Sequence, residues 1–221
     1  MKPLMLENKK IEYEYIDSSL TLNTALKELD NCKIFYIDTE FVSNRKSNTL
    51  CLIQISNGKK IFLIDTIKLR STLEFSSILC AEDAKWILHS GSQDIYYLVK
   101  YFNLTTIPKI FDTQVAWGVM GPEYHISLSY IINQLLDIQI EKNYQQINWN
   151  QRPLENAHLE YAASDVEFLP DLYLILQNKL KEKNKYNLFQ DIMSEIALDW
   201  FNKIDQPKIL SLDSFRNTWE L

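Results

Sequence analysis

Residues 33–65, KIFYIDTEFVSNRKSNTLCLIQISNGKKIFLID, contain three apolar segments that predict the centre of a β-sheet. These segments cover 33–38, 50–56 and 60–65. They are rich in isoleucine, leucine and phenylalanine, as buried strands are. Asn57-Gly58 joins the last two segments, and this dipeptide is typical of a tight hairpin turn. We therefore predict an antiparallel hairpin around this turn.

The sequence on either side of the hairpin alternates between strand and helix patterns. Further strands are predicted at 11–16, 85–89 and 109–111. Helices are predicted at 19–29, 73–79, 93–101, 113–119, 127–136, 154–183 and 186–203, with a kink or break at Pro170. This order predicts an α/β fold in which helices flank a mixed β-sheet. We assign residues 1–205 to one domain and 206–221 to a C-terminal tail.

Composition restricts the classes of function. Of the 221 residues, 46% are apolar and 24% are charged, which is typical of a folded globular protein. Only four residues are glycine, and the sequence lacks the G-x-G-x-x-G, P-loop and G-x-S-x-G motifs. The formal net charge of −6 argues against nucleic-acid binding through bulk positive charge. A polyanionic substrate would therefore need a local basic rim or bound cations.

Cysteine usage and hydropathy bear on location. The three cysteines and three histidines are dispersed, so neither a disulfide scaffold nor a zinc site is predicted. No stretch approaches 18 consecutive apolar residues, and the first ten residues lack a secretory apolar segment. We therefore expect a cytoplasmic protein that does not bind a membrane, and the oligomeric state stays open.

Acidic residues occur in three contexts that suit catalysis. Asp38 and Glu40 are two residues apart at the end of a strand, so their carboxylates share one face. Asp94 lies at the start of a helix, and Tyr161 and Asp165 are four residues apart on a helix. Each context also has an ordinary structural explanation: a solvated strand end, a helix-dipole interaction or an amphipathic helix. The combination of all three nevertheless predicts a metal site.

Oxygen donors without histidine or cysteine suit Mg²⁺ or Mn²⁺ better than zinc. Two such ions about 3.5–4 Å apart are a common device for cleaving phosphodiesters. The clustered carboxylates would otherwise repel one another, and multivalent cations relieve that repulsion. The sequence therefore predicts a site for two Mg²⁺ or Mn²⁺ ions.

The segments that carry these residues resemble the exonuclease motifs of ribonuclease D. Residues 37–56, IDTEFVSNRKSNTLCLIQIS, resemble its first motif, and residues 89–98, HSGSQDIYYL, its second. FDTQVA at 111–116 resembles its middle segment, and residues 142–166, with W-x-x-RPL and YAASDV, its third motif. The resemblance covers most of residues 30–175. It implies membership of the DEDDy group of 3′–5′ exonucleases, which have a ribonuclease H-like fold.

The resemblance also implies a role for each of the five residues. Asp38 would bridge both metal ions, and Glu40 and Asp165 would complete the first metal site. Glu40 would also contact the terminal 3′-hydroxyl. Asp94 would hold the second metal, and Tyr161 would orient the attacking water. The implied activity is metal-dependent removal of nucleoside 5′-monophosphates from the 3′ ends of single-stranded RNA.

Other residues are candidates for binding the substrate. Phe41 either stacks on the terminal base or packs in the core. His89 either faces the cleft near the substrate or is a strand-end histidine satisfied within the fold. The candidates for contact with backbone phosphates flank the acidic motifs, with solvated surface charge as the alternative; they are Arg45, Lys46, Lys142 and Arg152.

Two alternatives remain. Bacterial ribonuclease D usually carries helical HRDC domains after the nuclease, whereas this sequence ends at Leu221, so the substrate stays open. The same chemistry on single-stranded DNA or on RNA of a few nucleotides is one alternative. A non-catalytic nucleic-acid-binding adaptor is the other, and measurable Mn²⁺ binding would argue against it.

Overall fold

A six-stranded mixed sheet forms the centre of the computed structural model, which describes residues 12–43, 48–69, 73–140 and 147–204. In chain order the strands are β1 (Tyr13–Ile16), β2 (Ile34–Ser43), β3 (Asn48–Ser56), β4 (Ile61–Asp65), β5 (Lys85–Leu88) and β6 (Lys109–Asp112). Their spatial order is β1-β4-β3-β2-β5-β6. Strands β2 and β4 each pair with β3 in antiparallel orientation. The other pairs are parallel: β1 with β4, β5 with β2, and β6 with β5. The predicted mixed sheet is confirmed.

Helices occupy most of the rest of the described chain. They are α1 (Ser19–Leu29), α2 (Leu73–Leu79), α3 (Ser92–Phe102), α4 (Thr113–Met120), α5 (Leu128–Leu136), α6 (Asn156–Glu167), α7 (Leu169–Glu182) and α8 (Tyr186–Lys203). The predicted break of the long helical pattern occurs at Phe168, between α6 and α7, and Pro170 occupies the first turn of α7. Proline is tolerated there because the first amides of a helix have no intrahelical acceptor.

The central hairpin forms where the sequence predicts it. Gly58 has a φ of +85°, a left-handed conformation that glycine adopts without steric cost. The Asn57 side chain accepts hydrogen bonds from the backbone amides of Lys59 and Lys60, both at 3.0 Å. The turn therefore supplies its own polar partners, and β3 and β4 pair from Ser56 with Ile61 onwards.

The sheet supports the candidate site because its central strands are buried on both faces. Every residue of β4, and every residue of β3 from Leu50 to Ser56, is buried. The helix α6 packs over β2, β3 and β4. This packing places α6 beside the part of β2 that carries Asp38 and Glu40.

Two further sequence expectations concern the C-terminal tail and membrane-spanning helices. The predicted tail at 206–221 lies outside the described residues, so the domain boundary stays a prediction. Among the helices that the structure describes, none is long and apolar enough to cross a membrane.

Candidate active site

Three carboxylates meet where β2 passes under α6. Asp38 and Glu40 project from the same face of β2, since they are two residues apart in a strand. Asp165 lies in the last third of α6. One oxygen from each of the three carboxylates lies within 4.8 Å of the other two. The structure thus brings together three of the four acidic residues that the sequence singles out.

A change of register follows this group directly. The pairing of β2 with β3 shifts between Glu40 and Phe41, so the ladder is irregular immediately after the second carboxylate. Bulges of this kind re-aim side chains and are common next to functional sites. Here the shift separates the two carboxylates from the outer part of the β2–β3 pair.

Asp94 approaches the same strand from its edge. It lies in the first turn of α3 and is buried. The Thr39 hydroxyl donates a 2.6 Å hydrogen bond to Asp94 Oδ1. Because β5 pairs with β2 only as far as Tyr36, the edge of β2 beside Thr39 is open to α3. Asp94 therefore lies beside the three clustered carboxylates but is not one of the three whose oxygens lie within 4.8 Å of one another.

The turn that delivers Asp94 depends on a residue the sequence analysis did not single out. Asp112, buried at the end of β6, accepts hydrogen bonds from the backbone amides of Ser90 and Gly91 at 3.2 and 2.8 Å. It also caps α4 through two amides of its first turn. A Cβ on Gly91 would lie only 2.7 Å from Leu88 Cβ, so the turn also requires glycine. The sequence signal was an aspartate between a strand and a helix, the usual N-cap position.

Burial raises the pKa values of all four carboxyl groups, and repulsion from the other carboxylates of the site adds to the shift for Asp38, Glu40 and Asp165. Burial, followed by repulsion from the neighbouring carboxylates, raises the pKa of Asp38 well above its usual range and that of Glu40 to about 9. The same two causes raise the pKa of Asp165 to about 7. Burial raises the pKa of Asp94 to about 6, although the hydrogen bond from Thr39 opposes the shift.

These shifts favour a bound cation. Carboxylates that repel one another in a partly buried site are stabilised when a multivalent cation offsets their charge. All the close donors are carboxylate oxygens, which suits Mg²⁺ or Mn²⁺. The residues therefore fit the metal that the sequence predicts.

We expect the metal-free protein to lose stability as the pH rises from about 6.5 to about 9. The native state keeps protons on Glu40 and Asp165 that the unfolded state has already released, so unfolding is favoured as the pH rises. After allowance for partial exposure, the loss is on the order of 2 kcal/mol. Burial lowers the pKa of His89 from 6.5. His89 therefore makes stability rise with pH, but only below that window. Thermal melts in EDTA measure the effect.

The control for this measurement is Asp165→Asn, which removes one of the carboxyl groups responsible. Its melting temperature should depend less on pH than that of the wild type in the same window. A wild-type melting temperature that stays level or rises from pH about 6.5 to about 9 would contradict the pKa shifts.

Tyr161 lies one helical turn before Asp165 on α6 and faces the same group. Burial and then the charges of Asp165, Glu40 and Asp38 raise the pKa of its phenol, so it is neutral and able to donate a hydrogen bond. The ring of Trp149 packs against it with centroids 6.4 Å apart. The phenol is thus held as a neutral donor beside the carboxylates.

His89 is engaged within the fold, and its contact with the substrate stays a prediction. Its Nε2 lies 3.0 Å from the carbonyl oxygen of Ile126, and its Nδ1 lies 2.8 Å from the Thr113 hydroxyl. Since the carbonyl can only accept, Nε2 carries the proton and Nδ1 pairs with the hydroxyl. Both ring nitrogens are therefore used within the fold, which is the structural alternative that the sequence left open.

Arg152 is also engaged within the protein, and its contact with a backbone phosphate stays a prediction. Its Nε and Nη2 donate to both oxygens of Asp65, and Nη2 also donates to the carbonyl of Cys51. Its Nη1 donates to the carbonyls of Trp149 and Gln151. These contacts use all five N–H donors of a guanidinium, so a contact with phosphate would require one of them to be exchanged.

The remaining substrate-binding predictions are not decided by the structure. Phe41 is half-buried and stacks on Tyr97, with ring centroids 4.0 Å apart. This contact covers one face of its ring, and stacking on a base stays a prediction. Arg45, Lys46 and Lys142 lie outside the described residues.

Comparison with known sequences identifies relatives over most of this chain. The family model DNA_pol_A_exo1, described as a 3′–5′ exonuclease, matches residues 13–181. Ribonuclease D of Shewanella sp. (strain ANA-3) is 31% identical over 186 residues, which is 84% of this chain and 48% of that protein. The exosome complex exonuclease RRP6 of Saccharomyces cerevisiae is 32% identical over 173 residues, or 77% of this chain and 23% of that protein. The chain thus spans about half the length of this ribonuclease D, and less of RRP6.

Solved structures share the fold. RNase D of Escherichia coli superposes with a TM-score of 0.80 at 22% identity, covering 93% of this chain and 54% of that one. NrnC of Brucella melitensis bound to pGG superposes with a TM-score of 0.75 at 23% identity, covering 93% of this chain and all of that one. The predicted ribonuclease H-like fold is confirmed, and so is the resemblance to ribonuclease D.

Proposed function

The chain belongs to the 3′–5′ exonuclease family, and we propose that it removes nucleotides from the 3′ ends of single-stranded RNA in a reaction that depends on Mg²⁺ or Mn²⁺. The observation that carries the proposal is the group of three carboxylates within 4.8 Å of one another, with Asp94 and Tyr161 beside it. A fold that only bound RNA would have no need to hold several carboxylates together at a phosphate site.

The residues have distinct parts in the proposed reaction. Asp38, Glu40 and Asp165 would hold one divalent ion, and Asp38 with Asp94 a second. When bound, such an ion pair activates water at neutral pH and stabilises charge on the leaving oxygen. The phosphorus–O3′ bond breaks, water supplies the new oxygen on phosphorus, and the remaining strand leaves with a 3′-hydroxyl. The products are a nucleoside 5′-monophosphate and an RNA that is one nucleotide shorter.

The part of Tyr161 is to orient the attacking water. Its phenol is neutral and lies beside the carboxylates, so it can donate a hydrogen bond to a water molecule there. Its position on α6, four residues before Asp165, places donor and carboxylate on one helical face.

Tyr161→Phe should therefore lower kcat by about 100-fold, since positioned groups of this kind contribute about 10²–10⁴-fold. KM should change little, because the ring that packs against Trp149 is retained. Steady-state kinetics on a short RNA measure both constants. Tyr186→Phe removes a phenol from α8 and serves as the matched control. If Tyr161→Phe had the wild-type kcat, the phenol would have no part in the mechanism.

The proposal is tested with a 5′-labelled single-stranded RNA incubated with the purified chain and Mg²⁺ or Mn²⁺. We expect a ladder of products that shorten from the 3′ end, release of nucleoside 5′-monophosphates, and no reaction in EDTA. An intact RNA in the presence of either metal, or cleavage that starts inside the strand, would overturn the proposal.

A second candidate keeps the chemistry and changes the substrate to a very short oligonucleotide. It is favoured by one observation, since the matching NrnC structure contains bound pGG. Parallel digestion of a matched RNA, the same sequence as DNA, and a dinucleotide separates the candidates by kcat/KM.

We also expect a cytoplasmic location, in keeping with the three unpaired thiols, Cys32, Cys51 and Cys80.

A further inference from the structure

Gln54 is a polar residue in a buried position beside the carboxylates, and the mechanism above does not use it. It lies on β3 directly opposite Asp38, so the two side chains share one face of the sheet. This is the face of β2 that carries Glu40 and meets Asp165 of α6. The relative exposure of Gln54 is 0%, so its amide lies beneath the helix and away from solvent.

The buried amide of Gln54 presents both a hydrogen-bond donor and an acceptor. Within the described parts of the chain, neither Oε1 nor Nε2 makes a hydrogen bond. Its opposite neighbour on β4 is Leu63, which is buried and apolar. A buried unsatisfied amide costs about 1–3 kcal/mol. An apolar residue would fit this strand at lower cost, so the amide calls for an explanation outside packing.

Glu40 is the diagonal neighbour of Gln54 across the β2–β3 pair, because Asp38 pairs with Gln54 and Glu40 pairs with Leu52. Diagonal neighbours on one face of a sheet lie within reach of long side chains. The amide of Gln54 is therefore placed to meet the Glu40 carboxylate when a cation orients that carboxylate.

We propose that Gln54 is a positioning residue whose Nε2 donates a hydrogen bond to the Glu40 carboxylate and holds it in the orientation that binds the divalent cation. This inference rests on the proposed metal-dependent function. Gln54 acts through Glu40 and touches neither the RNA nor the reacting atoms. Hydrogen bonds of this outer kind are typically worth about 10–100-fold in metal affinity.

The test is Mn²⁺ titration of Gln54→Met by isothermal titration calorimetry, together with thermal melts in EDTA. Methionine keeps the length of the side chain and removes the amide. We expect Mn²⁺ binding to weaken by about 10–100-fold. The melting temperature in EDTA should stay level or rise, because an unsatisfied polar group has been removed. A purely structural role would instead lower the melting temperature and leave Mn²⁺ affinity unchanged.

Leu63→Met is the matched control, since it makes a similar change at the residue opposite Gln54 on β4. It should bind Mn²⁺ as the wild type does. Gln54→Leu is a second variant that removes the amide, and it should show the same loss of affinity.

The outcomes separate this inference from the proposed function. Wild-type Mn²⁺ affinity in both Gln54 variants would overturn the role of Gln54 alone. A wild-type protein that binds no Mn²⁺ would overturn the proposed function and this inference together.

Discussion

Asp38→Asn is expected to lower kcat by at least about 1,000-fold, because a group that stabilises charge in the transition state is worth about that much. Asparagine keeps the shape of the side chain and removes its charge, so the metal would lose its central ligand. The same change should raise the melting temperature of the metal-free protein. Burial and the charges of Asp94, Asp165 and Glu40 make an ionised Asp38 costly there.

The opposite signs of these two effects make the prediction specific. A substitution that merely damaged the fold would lower both activity and stability. Asp83→Asn, at an exposed carboxylate paired with Lys33, is the matched control and should change neither by much. Single-turnover rates of the variant and the wild type measure the loss. If Asp38→Asn retained one tenth or more of the wild-type rate, Asp38 would not be central to catalysis.

Arg152→Met is expected to lower the free energy of unfolding by about 3 kcal/mol or more, because it leaves a buried carboxylate without its partner. Asp65 is fully buried, and the Arg152 side chain is only 12% exposed. Tyr15 of β1 donates its hydroxyl to the same carboxylate. The guanidinium therefore ties the segment before α6 to β3 and β4. Urea unfolding at neutral pH measures the loss.

The matched control is Lys33→Met, which breaks the ion pair with Asp83 on the surface. Both of those side chains are more than half exposed, so the free energy of unfolding should change much less than in Arg152→Met. If Arg152 instead bound phosphate, Arg152→Met would raise KM for RNA at unchanged stability. That result would support the phosphate contact predicted from the sequence.

The elements of the fold were predictable because their signals are local. The Asn57-Gly58 turn has its partners within three residues, and Pro170 marks a helix start by its own covalent structure. Strand β2 was predicted to end at 38 but continues to Ser43. The polar residues at its end lowered the strand signal, whereas pairing with β3 keeps the backbone extended.

The acidic residues were identifiable by type and spacing, but their partners were not. The pairs Asp38 with Glu40 and Tyr161 with Asp165 are close in sequence, so a strand and a helix suffice to place each pair. The contact between Thr39 and Asp94 joins residues 55 positions apart and had no signal in the spacing.

The partners of Arg152 and His89 within the fold were unpredictable for the same physical reason. A basic residue next to a catalytic motif is equally consistent with a phosphate contact and with a buried ion pair. The choice depends on Asp65, 87 positions away from Arg152, and on Ile126, 37 positions away from His89. Buried polar groups require hydrogen-bond partners, and only the tertiary structure shows which residues supply them.

The most direct test of the metal centre is a crystal of the chain soaked with Mn²⁺ and a nucleoside 5′-monophosphate, with anomalous scattering used to locate manganese. We predict manganese bound to oxygens of Asp38, Glu40 and Asp165, with a second ion between Asp38 and Asp94, and the phosphate of the nucleotide against them. Manganese elsewhere with these carboxylates unliganded, or no manganese at all, would contradict the account.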